Sequence, residues 1–251
     1  MIPASIETSV PHNPLRLVPA EAPADARPSR VASFDAFDPA NRAALEEVSR
    51  RLRCNAEQCR IIRARLMTES AGANQICTIT SPAAGEGRTT TALGLAMSFA
   101  ELPGRRVLAI EADPLSPRFG RLLDLPVAPG FADWLGGRCD LDDALIPAAN
   151  GCFMVMTAGQ GGENRLAEHL VSPAARSRFE ELRERFDHVI IDTPPISRAA
   201  EPGLIGALSD QVLLLVRMGQ TARPSIDRAM RVLDGFGARP TAAILTGARS
   251  G

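Results

Sequence analysis

Six short apolar segments, rich in β-branched residues, recur along the chain and leave room for helices between them. They cover residues 76–80, 107–113, 152–159, 188–195, 211–219 and 241–247. A short, continuous apolar run is typical of a strand that is buried on both faces. Such strands, alternating with helical segments, predict an α/β fold with a mostly parallel sheet and helices on both of its faces.

Helical patterns fill the intervals between these strands, over residues 89–102, 174–186, 203–209 and 222–236. Upstream, residues 41–67 contain no Gly or Pro and place Leu45, Val48 and Leu52 at helical spacing, which predicts one long helix. Residues 1–40 contain seven prolines and few large apolar residues, so we expect a disordered leader there. The chain therefore divides into this leader and a single domain over residues 41–251.

Composition argues against several classes of protein. The chain has 251 residues, 45% of them hydrophobic, and a net charge of -1, which gives no long-range attraction to nucleic acid or anionic lipid. No apolar stretch approaches the ~18 residues that span a bilayer, and the N-terminus lacks the features of a secretory signal. The five cysteines are scattered and complete no metal site. We therefore expect a cytoplasmic protein that does not bind nucleic acid.

The segment SPAAGEGRTT, residues 81–90, lies between a predicted strand and a predicted helix. It approaches the phosphate-binding pattern G-x-x-x-x-G-K-[ST], but Pro82 occupies the position of the first glycine and Arg88 that of the lysine. In such loops, backbone N–H groups and the helix N-terminus bind the anion. The alternative is an ordinary glycine-containing turn. We predict that a nucleotide contacts seven consecutive residues: Ala84, Gly85, Glu86, Gly87, Arg88, Thr89 and Thr90.

Carboxylates stand at the ends of two other predicted strands. Glu111 and Asp113 end VLAIEAD, and Asp192 ends HVIID. Because open α/β folds bind ligands at the carboxyl ends of their strands, we predict that these three are the catalytic residues. Thr89 and Asp192 are the predicted Mg²⁺ ligands, and ATP or ADP with Mg²⁺ is the predicted cofactor. Each carboxylate taken alone could instead cap the following helix, but that explains the set poorly.

Four motifs together resemble the bacterial tyrosine kinases (BY-kinases) of capsule and exopolysaccharide systems. ITSPAAGEGRTTTALGLAMSFA is similar to the family's phosphate-binding loop and helix, and VLAIEADPLSPRFGRLLDLPVAPGFADWLGG to its Walker A' segment. FDHVIIDTPP resembles its Walker B strand, and LSDQVLLLVRMGQTARPSIDRAMRVLDGFGAR the strand and helix beyond. The resemblance covers about residues 45–247 and implies a P-loop NTPase fold of the MinD/BY-kinase type.

Upstream of the loop, EEVSRRLRCN resembles the family's E-x-x-R-x-x-R signature, which mediates ring assembly in that family. Glu47, Arg50 and Arg53 occupy its three positions. On a helix these side chains fall along one side, where they could pair with a neighbouring subunit. The resemblance therefore implies a homo-oligomer. The alternative is an exposed helix face with salt bridges along it.

The chain departs from the family's pattern where chemistry would take place. Arg88 replaces the loop lysine, Glu111 replaces the first Walker A' aspartate, and the basic residue expected shortly after Asp113 is absent from PLSP. Thr246 stands where related ATPases often place an asparagine against the base. The chain contains no lysine and no tyrosine, so the family's C-terminal tyrosine cluster is missing.

Two hypotheses for function follow from the resemblance and the departures. The first is an ATP-binding protein of exopolysaccharide or capsule biosynthesis and export, with weak or no kinase activity. It would act in trans on a membrane co-polymerase or export protein, as a peripheral protein at the inner membrane. The second is an active ATPase or protein-tyrosine kinase that phosphorylates other proteins. A MinD/ParA-like positioning ATPase fits less well, because Ala83 occupies the position of that group's signature lysine.

Overall fold

The computed structural model describes residues 39–52, 55–69, 74–125, 129–159 and 165–247. The strands are β1 Gln75–Thr80, β2 Val107–Glu111, β3 Ile146–Ala148, β4 Phe153–Met156, β5 His188–Asp192, β6 Gln211–Arg217 and β7 Ala242–Thr246. The helices are α1 Pro39–Leu52, α2 Ala56–Glu69, α3 Arg88–Ala100, α4 Phe119–Leu123, α5 Phe131–Leu135, α6 Leu141–Ala144, α7 Leu166–Leu170, α8 Pro173–Arg185, α9 Glu201–Gly206 and α10 Arg223–Gly235. Among these helices, none has both the length and the apolar character that crossing a membrane requires.

The seven strands form one sheet in the order β3-β4-β2-β5-β1-β6-β7. Among the described strands, β3 alone runs antiparallel to its neighbour, and the other five pairings are parallel. Asp192, the last residue of β5, lies opposite Ile79 of β1 and Glu111 of β2. The predicted α/β fold with a mostly parallel sheet is confirmed, and its central strands end side by side.

In the central strands of the sheet, alternate side chains enter apolar layers on opposite faces. Cys77 and Ile79 of β1 lie in the layer formed with α1, α2 and α3, whereas Ile76 lies in the layer formed with α5, α7 and α8. Val212 and Leu214 of β6 pack with α10. This two-sided burial explains why these central strands have continuous apolar sequences without polar alternation.

The prediction of one helix over residues 41–67 is wrong, because the structure has two helices, α1 and α2, in this region. Asn55 precedes α2 and accepts a hydrogen bond from the backbone N–H of Gln58 at 3.2 Å. This is the side-chain cap that asparagine provides at a helix start. Asparagine competes for backbone N–H groups, so a segment without Gly or Pro can still contain a helix boundary.

Five short elements escaped the sequence patterns. β3 has three residues and includes Pro147, which an edge strand tolerates because it does not need every backbone N–H group for the sheet. The helices α4, α5, α6 and α7 have only four or five residues each, far fewer than a periodicity window requires. Of the predicted leader, residues 1–38 lie outside the described residues, and α1 begins at Pro39.

Candidate nucleotide site

The loop between β1 and α3 has the backbone of a phosphate-binding loop. Gly85 and Gly87 have φ angles of 81° and 93°, a left-handed conformation that glycine adopts without strain. Gly87 is the N-cap of α3, a helix of 13 residues. The loop therefore presents its backbone N–H groups together with the positive end of a helix, which is the arrangement that binds phosphate.

Glu86 holds the loop together from within. Its side chain is buried and accepts hydrogen bonds from the backbone N–H of Ala83 at 3.1 Å and from the hydroxyl of Thr221. Because its carboxylate has these internal donors and would repel an anion, Glu86 would contribute to nucleotide binding through its backbone and through the shape of the loop.

The carboxyl ends of β6 and β7 fasten the same loop. Thr246 donates its hydroxyl to the carbonyl of Glu86 at 2.9 Å, and the Arg217 guanidinium donates to the carbonyl of Gly85 at 3.0 Å. Thr246 occupies the position at which related ATPases often place a base-contacting asparagine. Its hydroxyl is instead engaged with the loop, so the loop geometry depends on strands that are distant in sequence.

The Arg88 side chain turns back into the loop. Its Nη1 donates to Ser81 Oγ at 2.8 Å and to the carbonyl of Ala83 at 3.3 Å, and its Nη2 lies 4.0 Å from Asp113 Oδ2. The side chain is only 11% exposed. Burial lowers the pKa of Arg88, although the nearby carboxylates of Asp192 and Asp113 favour its charged form. In this position Arg88 stabilises the loop from inside.

Asp192 and Thr89 form the contact expected of a magnesium site. The Thr89 hydroxyl donates to Asp192 Oδ2 at 2.7 Å. Among the described residues, the buried Oδ1 atoms of Asp192 and Asp113 have no hydrogen-bond partner. Burial raises the pKa of Asp192 to about 7, despite the hydrogen bond from Thr89 and the charge of Arg88. Two unpartnered carboxylate oxygens beside a threonine hydroxyl suit Mg²⁺, which binds through one or two carboxylates and substrate phosphates.

The Glu111 carboxylate is held by backbone N–H groups at the start of α4. It accepts hydrogen bonds from the backbone N–H groups of Arg118, of Phe119 at 3.0 Å and of Ala158 at 3.4 Å. Burial raises the pKa of Glu111, and these three donors oppose that rise. The structure thus brings Asp113 and Asp192 to the loop, whereas Glu111 fixes the start of α4. This geometry supports a structural role for Glu111.

A cavity of about 90 Å³ opens beside the loop. Some of its lining residues were predicted from the sequence and others were not. It includes all seven predicted loop residues, 84–90, together with Asp113 and Ser116. Two arginines that the motifs did not indicate, Arg118 and Arg198, also line it. Their positions in the sequence could have indicated them, because each arginine follows a strand-end aspartate by five or six residues.

The chain is similar in sequence to proteins of one known family. The chain is 30% identical over 194 residues to the tyrosine-protein kinase YwqD of Bacillus subtilis, covering 77% of this chain and 81% of YwqD. It is also 30% identical over 167 residues to the tyrosine-protein kinase CpsD of Streptococcus agalactiae, covering 66% of this chain and 72% of CpsD. The chain belongs to the bacterial tyrosine-protein kinase family. The resemblance seen in the four motifs is therefore confirmed.

Solved structures agree with the assignment to the bacterial tyrosine-protein kinases. The VpsO kinase domain superposes with a TM-score of 0.70 at 26% identity and covers 81% of this chain and 98% of that domain. The kinase domain of the Escherichia coli tyrosine kinase ETK gives a TM-score of 0.70 at 25% identity, with 78% of each chain covered. The MinD cell division protein of Aquifex aeolicus, at 22% identity and a TM-score of 0.56, shares the fold. No family model matches the chain.

Two of the three predicted assembly residues, Glu47 and Arg50, lie on α1. Glu47 contacts Arg50 at 2.7 Å and Arg51 at 3.0 Å within the same helix. Arg53 lies outside the described residues. The Arg50 side chain is 74% exposed and that of Glu47 is 45% exposed, so both are accessible to a neighbouring molecule. Their part in assembly stays a prediction.

Proposed function

We propose that this bacterial tyrosine-protein kinase homologue binds ATP or ADP with Mg²⁺ between the loop and the ends of β2 and β5. The observation that carries the proposal is the hydrogen bond from Thr89 to Asp192, beside buried carboxylate oxygens without partners in the described structure. The loop backbone would bind the phosphates, and Thr89 and Asp192 would hold the metal. When bound, Mg²⁺ offsets phosphate charge and orients the terminal phosphoryl group.

We propose further that kinase activity is weak or absent. A lysine in this loop offers a compact ammonium to the β- and γ-phosphates, whereas the planar guanidinium of Arg88 is longer and is not interchangeable with it. Arg88 is already hydrogen-bonded to Ser81 and Ala83. Loss of one positioned donor to transition-state charge commonly lowers the rate by about 10²–10³-fold. The chain has no tyrosine, so tyrosine autophosphorylation has no acceptor on it.

The cellular role that we propose is in exopolysaccharide or capsule biosynthesis and export. The chain would lie at the cytoplasmic side of the inner membrane, bound in trans to a polysaccharide co-polymerase or export protein and assembled with copies of itself. The motif resemblance to BY-kinases of these systems supports the pathway. The exposed Glu47 and Arg50 on α1 support the assembly.

An active kinase or ATPase that phosphorylates other proteins is the second candidate. The favouring observation is the buried Oδ1 atom of Asp192, which has no hydrogen-bond partner in the described structure and is a carboxylate oxygen that can accept a proton from an attacking group. In this case the site would have adapted to Arg88, and the substrate would be a tyrosine on a different protein.

Calorimetric titration with Mg-ATP and Mg-ADP tests nucleotide binding. We expect the unaltered chain to bind both nucleotides and Thr89→Ala to weaken both, because the hydroxyl ligand of the metal is lost. Thr91→Ala, two residues further along α3 and outside the cavity lining, is the matched control and should bind normally. No heat of binding with either nucleotide would contradict the proposal.

Transfer of phosphate to a tyrosine-containing peptide separates the two candidates. We expect transfer near background for the unaltered chain. Steady turnover that Thr89→Ala and Asp192→Ala both abolish would instead favour the active enzyme. Thr91→Ala again serves as the control.

A further inference from the structure

Two arginines on separate loops face the same phosphate-sized cavity. Arg118 follows β2 and Arg198 follows β5, and both line the cavity of about 90 Å³ beside the loop residues 84–90. Both residues are exposed. Within the described part of the chain, neither guanidinium has an ion pair or a side-chain hydrogen bond. Two cations without carboxylate partners at one small cavity are suited to bind an anion.

The backbones that carry these arginines are fixed. The N–H of Arg118 donates to the buried carboxylate of Glu111, which also holds the N–H of Phe119. On the other loop, the N–H of Arg198 donates to the carbonyl of Pro195 at 2.9 Å, and that of Ile196 to the carbonyl of Ser81 at 2.9 Å. The two side chains therefore extend from anchored positions, and less order has to be gained when they bind a ligand.

Arg88, the third arginine that lines the cavity, already has partners within the protein. Arg88 is held by Ser81, by the carbonyl of Ala83 and by proximity to Asp113. Besides burial, the positive charge of Arg118 also lowers the pKa of Arg88, because the two guanidinium groups are close enough to repel each other. An incoming triphosphate would therefore meet Arg118 and Arg198 as its available side-chain cations.

We propose that Arg118 and Arg198 together bind the terminal phosphate of the nucleotide, in the role that Arg88 does not fill. The inference rests on the proposed nucleotide site and adds a specificity to it, since contacts made only by a third phosphate favour ATP over ADP. The loop backbone, by contrast, binds phosphates that both nucleotides have.

Calorimetry on the full chain tests the inference with Mg-ATP and Mg-ADP as separate ligands. We expect the double variant Arg118→Ala/Arg198→Ala to bind Mg-ATP about 10- to 100-fold more weakly, as for the loss of one or two charge-assisted hydrogen bonds. Mg-ADP affinity should change by less than about threefold. Both residues are exposed, so the fold should be kept, as circular dichroism would verify.

Two further variants sharpen the experiment. Arg121→Ala removes an exposed arginine on α4 that does not line the cavity, and it should bind both nucleotides as the unaltered chain does. Arg118→Lys/Arg198→Lys keeps both charges and should recover most of the ATP affinity if charge is what the phosphate requires.

The outcomes distinguish this inference from the function on which it rests. If the unaltered chain binds both nucleotides and the double alanine variant binds ATP equally well, the inference is wrong and the proposed nucleotide site stands. Equal weakening of ATP and ADP would also overturn it, because the contact would then not be to the third phosphate. If the unaltered chain binds no nucleotide, the proposed function fails and the inference with it.

Discussion

The guanidinium of Arg88 is positioned by hydrogen bonds inside the loop. A lysine ammonium on a flexible stem can reach outward to a phosphate, whereas a planar guanidinium with five donors finds acceptors nearby. In this loop those acceptors are Ser81 Oγ and the carbonyl of Ala83. Arg88 therefore supports the loop from within, and its part in nucleotide binding stays a prediction.

Arg88→Lys should separate these two roles. Lysine loses the paired contacts inside the loop, so the free energy of unfolding should fall by about 1–2 kcal/mol. At the same time its ammonium is freed toward the cavity, so Mg-ATP binding or turnover should increase. Urea denaturation and a phosphate-release assay measure the two effects, with Arg121→Lys as the control. A variant that is destabilised and still shows no gain in binding or turnover would contradict this account.

The buried carboxyl of Asp192 should make stability depend on pH. Its pKa is raised to about 7 in the folded chain, against an ordinary value of 3.8. The folded state therefore holds a proton that the unfolded state releases between these values. The contribution of protonated Asp192 to stability is fully present below about pH 4 and is lost as the pH rises through about 7.

Comparison with Asp192→Asn isolates this titration. The unfolding free energy of the unaltered chain should fall relative to that of the variant as the pH rises from about 4 to about 7. The difference should be about 4 kcal/mol at most, from 1.36 kcal/mol per pKa unit. Urea denaturation across the pH range measures it. Parallel pH profiles for the two chains would show that Asp192 is ionised throughout.

At the scale of elements, apolar patterns predicted six of the seven strands and the helices α3, α8, α9 and α10, but not the helices of four or five residues. The central parallel strands follow from continuous apolar runs, which burial on two faces requires. The helices α3, α8 and α10 follow from apolar residues at helical spacing. The boundary at Asn55 depends instead on one side-chain hydrogen bond, and no average over a window contains that information. The same holds for α4, whose start is fixed by the Glu111 carboxylate rather than by its own five residues.

Removal of the Asn55 cap tests the corrected boundary between α1 and α2. Asn55→Ala leaves the N–H of Gln58 without its acceptor and should lower the unfolding free energy by about 1 kcal/mol. Asn55→Asp keeps a capping oxygen and should be close to the unaltered chain. Thermal or urea denaturation of the three chains gives the comparison. Equal stability of all three would mean that this cap contributes nothing to α2.

At the scale of the whole molecule, the sequence predicted which groups meet but not how each one is used. The convergence of Asp113, Asp192 and the loop follows from parallel strands ending at one edge of the sheet. The direction of a side chain at that edge depends on contacts made by remote residues. Thr246 thus holds the loop at a position where related ATPases often place a base-contacting asparagine. Arg118 lines the cavity although PLSP, directly after Asp113, contains no basic residue.

Assembly is the property of the whole molecule that α1 allows to be tested. The contact between Glu47 and Arg50 lies within one exposed helix turn, and such pairs stabilise a helix by only about 0.2–0.5 kcal/mol. Reversing the charge in Arg50→Glu should therefore leave the fold intact while it places two like charges on the proposed contact face. We expect the unaltered chain to form oligomers in sedimentation velocity experiments and Arg50→Glu to sediment as a monomer.

The control for assembly is Arg65→Glu, which changes the net charge equally at an exposed position on α2, outside the signature. It should sediment as the unaltered chain does, because a general charge effect would act on both variants and a specific contact on only one. Oligomers that persist in Arg50→Glu, or an unaltered chain that stays monomeric at high concentration, would contradict assembly through this face. In the expected case, repulsion at one helix turn suffices to dissociate the subunits, so the signature residues act between molecules rather than within α1.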